Sequence, residues 1–287
     1  MEVTNGQELH VRSQQWREEG IGTRPEPVMI GLDPTTVRVR WLVVEVAETP
    51  YLTRWRSMLD REELNRADRY RFAADRATYV AAHVLARFML SEVTGISTRA
   101  WRFVTGEFGK PALAADFREW NLHFNISHTR GLVACAIARH EVGVDVERSD
   151  RTIDLDIARR YFAPEEVRIL HSLPKPQQID TFFRFWSLKE AFIKATGEGL
   201  SRPLDSFSFA FEPARVAFHA ERNNRPGCDD PAEWRFWEWH PANDCVAALA
   251  IRSTHASSIW VDAGPARAAD IICKQTSFVS RRPASPA

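Results

Sequence analysis

The stretch "FNISHTRGLVACAIARHEVGVDVERSD", residues 124–150, decides how this chain is read. Val142, Val144 and Val146 take one face of an extended segment, because side chains alternate along a strand. Gly143, Asp145 and Glu147 then share the opposite face. A rise of ~3.3 Å per residue puts the two acidic Cα atoms roughly 7 Å apart. Like charges so placed repel unless solvent or a cation intervenes. At the other end of the stretch Ser127 and His128 are adjacent. Adjacent strand residues point apart and no nucleophile elbow surrounds this pair, which argues against a serine hydrolase. A phosphate ligand suits both, since the hydroxyl can hydrogen-bond it and the imidazole can pair with it.

Upstream of this stretch, "VRVRWLVVEV" at 37–46 has the β-rich character of a first core strand. Residues 60–95 follow as helical material, with Val80, Val84, Leu85 and Phe88 at helical spacings and Arg66, Arg69 and Arg76 left accessible. "FGKP" at 108–111 sets Lys110 between a flexible glycine and a rigid proline, which can present an ammonium at a loop mouth. Downstream, a helix-rich stretch begins near Asp156 and ends before Pro164, a second short helix follows, and 171–181 reads as a loop. "TFFRFWSLKEAFIKATG" is the next helix, with Phe185, Leu188 and Phe192 on one side and Glu190 and Lys194 one turn apart on another. Gly197 ends it. "FSFAFEP", "EWRFWEWH" and "CVAALAIR" return to strand composition. The order strand, long helix, strands thus recurs, which favours a duplicated α+β architecture with a cleft between halves over one continuous α/β domain.

The chain has 287 residues, 44% hydrophobic and 26% charged, enough to bury the cores of two such units. Lys plus Arg and Asp plus Glu both total 38, so net charge gives no reason to expect nucleic-acid binding. Cys135, Cys228, Cys245 and Cys273 are too widely spaced for a metal-binding pattern or a small disulfide framework. The N-terminal stretch lacks the apolar core of a signal peptide and no segment reaches membrane-spanning length, so a cytoplasmic protein with no membrane partner is expected. Residues 1–35 and 253–287 read as irregular extensions, and a chain spanning 31–256 is expected to keep most chemistry. Between them lie a first half, 36–141, and a second half with the acids, 142–252.

Asp145 and Glu147 suit a hard divalent ion such as Mg2+, above all when a phosphate substrate supplies further oxygens. Glu190 and Lys194 read in two ways. They are a surface ion pair one helical turn apart, or, if the helix approaches the strand, a further acid and a cation for the substrate phosphate. On these residues alone a metal-dependent phosphohydrolase and a non-catalytic binding module with a structural acidic cluster both stay open.

Taken together, "FGKP", "FNISHTRG", "VGVDVE" and "FWSLKEAFIKATGEGLSRPLDSFSF" resemble the Sfp-type 4'-phosphopantetheinyl transferases over about 36–252, the specificity lying in their joint order. The resemblance implies a monomer of two pseudo-symmetric α+β halves with coenzyme A and Mg2+ at their junction. It implies transfer of phosphopantetheine from coenzyme A to a serine of an apo acyl, peptidyl or aryl carrier protein, releasing adenosine 3',5'-bisphosphate. On the matching positions it makes Asp145, Glu147 and Glu190 the metal-binding acids and Glu190 a candidate base. It sets Lys194 near the reacting phosphates, and Lys110, Ser127, His128 and, on the helix, Arg66 on coenzyme A. Two positions depart from the family pattern: Glu63, where a basic residue is common, and His83 in the following helix.

Overall fold

The computed structural model describes residues 31–44, 50–106, 109–211, 213–219, 230–253 and 259–275. Residues 1–30 and 276–287, most of the two extensions read from the sequence, lie outside them, as does Cys228. The fold is mixed α+β. Its elements run β1 (Thr36–Val43), α1 (Leu52–Arg56), α2 (Arg61–Asp68), α3 (Ala73–Thr94), the hairpin β2 (Phe103–Thr105) and β3 (Pro111–Leu113), then β4 (His123–Thr129) and β5 (Leu132–Ala138). They continue with β6 (Val142–Arg148), α4 (Ala158–Tyr161), α5 (Pro164–Ser172), α6 (Lys175–Thr196), the hairpin β7 (Phe207–Ala210) and β8 (Arg215–Phe218), β9 (Trp234–Trp239) and β10 (Cys245–Arg252). Strand β11 (Trp260–Pro265) and helix α7 (Ala268–Gln275) close the order.

One order of elements therefore occurs twice: a strand, two short helices, a 22-residue helix, a hairpin and two strands. Both 22-residue helices stop at a glycine in the left-handed region, Gly95 at φ 72° and Gly197 at φ 77°, a conformation that a Cβ makes costly. The sheets match in the same way. Strand β5 lies antiparallel between β1 and β4, and β10 lies antiparallel between β6 and β9.

Three apolar cores hold these layers. One lies between α3 and its sheet, around Val84, Leu85, Trp101 and Phe117. Another packs α6 on the second sheet through Phe185, Leu188 and Phe192, all fully buried as their helical spacing predicts. Between the sheets, Val37, Val39, Ala134 and Ala136 meet Val142, Val144, Val146 and Leu249. Two buried ion pairs pin the long helices. Arg87 of α3 reaches Glu63 of α2 at 2.7 Å, and Lys189 of α6 reaches Glu166 of α5 at 2.8 Å.

The structure differs from the sequence reading at two places. Helix α6 begins at Lys175, inside the segment 171–181 read as a loop. Pro174 caps it and Pro176 falls in its first turn, where a missing N–H costs nothing. The second difference is the region 253–287, which is not irregular throughout. Strand β11 runs parallel to β1 from Thr36↔Trp260 to Trp41↔Pro265, and α7 buries Ile271 completely against the first core.

Candidate active site

Strand β6 is a border strand of its sheet, paired with β10 on one side. Its other edge meets side chains of the first half. The Val144 N–H donates to Asn125 Oδ1 at 2.9 Å and the Val146 N–H to Ser127 Oγ at 3.3 Å. The Val142 carbonyl accepts from Lys110 Nζ at 3.4 Å. Asn125 and Ser127 alternate along β4, so both point to this edge while His128 turns away.

Asp145 and Glu147 share the face of β6 that α6 crosses. The crossing is close because position 143 is glycine: a Cβ there would stand 2.0 Å from the Ala191 carbonyl oxygen and 2.5 Å from the Ala195 nitrogen. Lys194 therefore reaches the strand. Its ammonium donates to Asp145 Oδ1 at 2.6 Å and to Ser127 Oγ at 3.0 Å. The Ser127 hydroxyl in turn donates a hydrogen bond to the same Asp145 oxygen at 2.9 Å. Glu147 pairs with Arg151 at 2.9 Å, and Arg151 also lies over the Phe183 ring. Of the two sequence readings of Glu190 and Lys194, the lysine's short ion pair is with Asp145 on the strand.

The three acids act on one another electrostatically. Burial, then the Asp145 charge, lifts the Glu147 carboxyl to about 7, and Glu190 adds to that rise. Burial likewise raises Glu190, with Lys194 opposing and Asp145 adding. Burial would lower Lys194, but the Asp145 charge and hydrogen bond outweigh it and hold the ammonium above its ordinary value. Among the described residues no three His, Cys, Asp or Glu side chains come together closely enough to hold a metal ion as they stand. The donor set still fits a hard divalent cation. Asp145 Oδ2 is buried and has no hydrogen-bond partner, and its carboxylate neighbours are in a state that added positive charge would relieve.

On the first-half side lies a cavity of about 220 Å³ lined by Glu63, Arg66, Tyr70, Tyr79, His83 and His128, with Gly109 and Pro111 on its wall. Arg66 lies 5.9 Å over the Tyr79 ring. Desolvation and then the Lys194 cation hold the His128 imidazole below its ordinary value. Glu63 and His83, the two departures from the family pattern, are bonded to each other at 2.8 Å. The Arg87 guanidinium completes the cluster, so Glu63 is a partner for a buried cation. Lys110, between two residues of the cavity wall, is half-buried, and its ammonium donates to the Ala195 carbonyl of α6 at 3.1 Å. Burial lowers it to about 8, opposed by Glu141.

Of the site residues expected from the sequence, Arg66 and His128 line the cavity, Ser127, Asp145 and Lys194 meet directly, Lys110 reaches the backbone of β6 and α6, and Glu147 and Glu190 feel the Asp145 charge. Asn125 and Gly143 were missed. Asparagine in "NISH" reads as a turn residue, and a strand glycine shows its purpose only when the helix above it is known.

Two family models match adjoining parts of the chain. Residues 47–140 match "4'-phosphopantetheinyl transferase, N-terminal" and residues 141–250 match "4'-phosphopantetheinyl transferase superfamily". The 4'-phosphopantetheinyl transferase HetI of Nostoc sp. is 35% identical over 195 residues, which are 67% of this chain and 78% of that protein. The chain belongs to the 4'-phosphopantetheinyl transferase family. The transferase Sfp of Bacillus subtilis is 37% identical over 54% of this chain and 67% of its own. A human L-aminoadipate-semialdehyde dehydrogenase-phosphopantetheinyl transferase is 30% identical over 79% and 78%. This transferase therefore moves the phosphopantetheine arm of coenzyme A to a serine of an apo carrier protein. None of its described helices is long and apolar enough to cross a membrane.

Proposed function

We propose that the transfer depends on Mg2+ held by Asp145, Glu147 and Glu190, and that the two halves, 36–141 and 142–252, are related by a pseudo-twofold axis with the site at their junction. The buried, unpartnered Asp145 Oδ2 carries the metal reading, and the repeated element order supports the axis. When bound, the ion supplies positive charge to the pyrophosphate. The chain's residues do the rest. Arg66, His128 and the wall formed by Gly109 and Pro111 hold the nucleotide side of coenzyme A, while Ser127 orients Asp145 and Lys194 from the ligand's flank. The carrier serine attacks the phosphorus that bears the pantetheine arm, and the phosphoanhydride bond to the adenosine side breaks. Glu190, its carboxylate made more basic by burial, takes the serine proton. Lys194 stays protonated and offsets charge on the departing bisphosphate. The buried thiols of Cys135 and Cys245 suit a reducing, cytoplasmic setting.

Asp145→Asn tests the central claim, because it nearly preserves size while removing the charged ligand oxygen. With coenzyme A, Mg2+ and an apo carrier, the mass gain on the carrier should fall about 100-fold or more. Transfer at the wild-type rate would overturn the role given to the acids.

A further inference from the structure

We infer that Lys110 is a positioning residue: one ammonium from the first half ties together the strand and the helix that carry the reacting groups of the second. The inference rests on the reading of Asp145, Glu147, Glu190 and Lys194 as the reaction site. It begins from where the ammonium points. Gly109 and Pro111, on either side of Lys110, line the cavity wall, while Lys110 Nζ turns inward to the carbonyls of Ala195 at 3.1 Å and Val142 at 3.4 Å.

Those two carbonyls are informative. Ala195 follows Lys194 and lies in the last turn of α6, whose C-terminal carbonyls have no partners within the helix and carry the negative end of its dipole. A cation there stabilises the helix end beside the residue that grips Asp145. Val142 opens β6, the strand of Asp145 and Glu147, and its carbonyl lies on the edge that β10 does not pair. The two elements touch next to this point, where Gly143 admits the Ala191 and Ala195 backbone. Lys110 thus clamps the crossing at its tightest place.

The other end of the clamp is equally fixed. The Lys110 carbonyl accepts from the Gly106 N–H at 2.9 Å, and Gly109 turns the chain at φ 82°. A loop whose Gly109 and Pro111 line the nucleotide cavity therefore holds the strand and helix of the acidic site with the Lys110 side chain. The geometry makes Lys110 a mechanical link between binding at one site and reaction at the other.

Lys110→Met removes the ammonium and keeps the stem. Calorimetric titration with coenzyme A should give a dissociation constant within about threefold of wild type, while kcat at saturating coenzyme A falls about tenfold or more. Hydrogen exchange of the amides at 195–199 should accelerate, because the helix end loses its cap. Lys110→Arg, which keeps a cation with several donors, should recover most of kcat. If Lys110→Met does not fold, Lys110→Gln carries the same measurements. Coenzyme A affinity lost by more than about tenfold would overturn the inference, since a direct phosphate contact is worth that much. An unchanged kcat would overturn it equally. Failure of the underlying site reading would appear elsewhere, as an active Asp145→Asn protein, whatever the Lys110 variants do.

Discussion

Position 143 governs how near the helix of Glu190 and Lys194 comes to the strand of Asp145 and Glu147. The atoms that a Cβ would strike, Ala191 O at 2.0 Å and Ala195 N at 2.5 Å, are backbone and cannot rotate aside. Gly143→Ala should therefore displace α6 as a whole, costing about 1–3 kcal/mol in urea unfolding. It should reduce transfer far more than that loss implies, because the 2.6 Å contact between Lys194 and Asp145 opens with it. A variant with wild-type unfolding and wild-type kcat would contradict the crossing. At this scale the sequence was legible where alternation alone decides. Asp145 and Glu147 fall on the face opposite the valines, and the structure keeps them there. Ser127 was half legible: its chemistry was clear, but the direction of its proton, toward Asp145, depends on a strand that follows only after β5. Lys110 was legible only as a cation at a loop mouth, whereas its ammonium turns inward to backbone carbonyls that no side-chain pattern announces.

The long helices show how one device serves twice. In α3 Arg87 is fully buried and binds Glu63, the third residue of the α2 first turn, whose carboxylate also accepts from the Asp60 N–H. In α6 Lys189 is fully buried and binds Glu166, which holds the same place in α5 and accepts from the Ala163 N–H. Lys189 also donates to the Leu204 and Phe207 carbonyls, fastening the chain that leaves α6. Lys189→Met strands a buried carboxylate and should cost about 3–5 kcal/mol, whereas Lys189→Met with Glu166→Leu removes both charges and should recover much of it. Additive losses in the double variant would refute coupling of the pair. For Glu63, burial raises the carboxyl, but the bonds from His83 and Arg87 outweigh it and the net shift is below the ordinary 4.5. A depressed acid contributes stability that is complete above its unfolded value and fades as pH falls through the folded one. The gap in urea midpoint between wild type and Glu63→Gln should accordingly be constant near neutrality and narrow below pH 4.5. A gap that widened on acidification would reverse the sign. Helix α6 itself was legible from Thr181 onward by its apolar face. Its first turns were hidden because prolines at 174 and 176 look like breakers and act as a start.

Over the whole molecule, the C-terminal segment is the part the sequence described least well. Strand β11 pairs with a strand more than two hundred residues earlier, and its six residues carry only a faint alternation, so local pattern could not reveal it. Asp262 nonetheless binds Arg38 at 3.1 Å and Arg40 at 2.9 Å, and Lys274 binds Glu92 at 2.8 Å. A chain ending at residue 253 should lose several degrees of thermal midpoint and much of its soluble yield, since β1 loses a neighbour and α3 loses the cover of Ile271. An unchanged midpoint would mean the segment is only an ornament. The unpaired edge of β6 has a further meaning when seen as a surface for recruitment. Asn125, Ser127 and Lys110 occupy the groups with which another strand would bond, so these side chains shield an edge that would otherwise template pairing with a second chain. A nascent chain whose halves have not yet docked offers a bare ribbon of valines, and damage at this seam would surface as filaments or inclusion bodies before it surfaced as a slow enzyme.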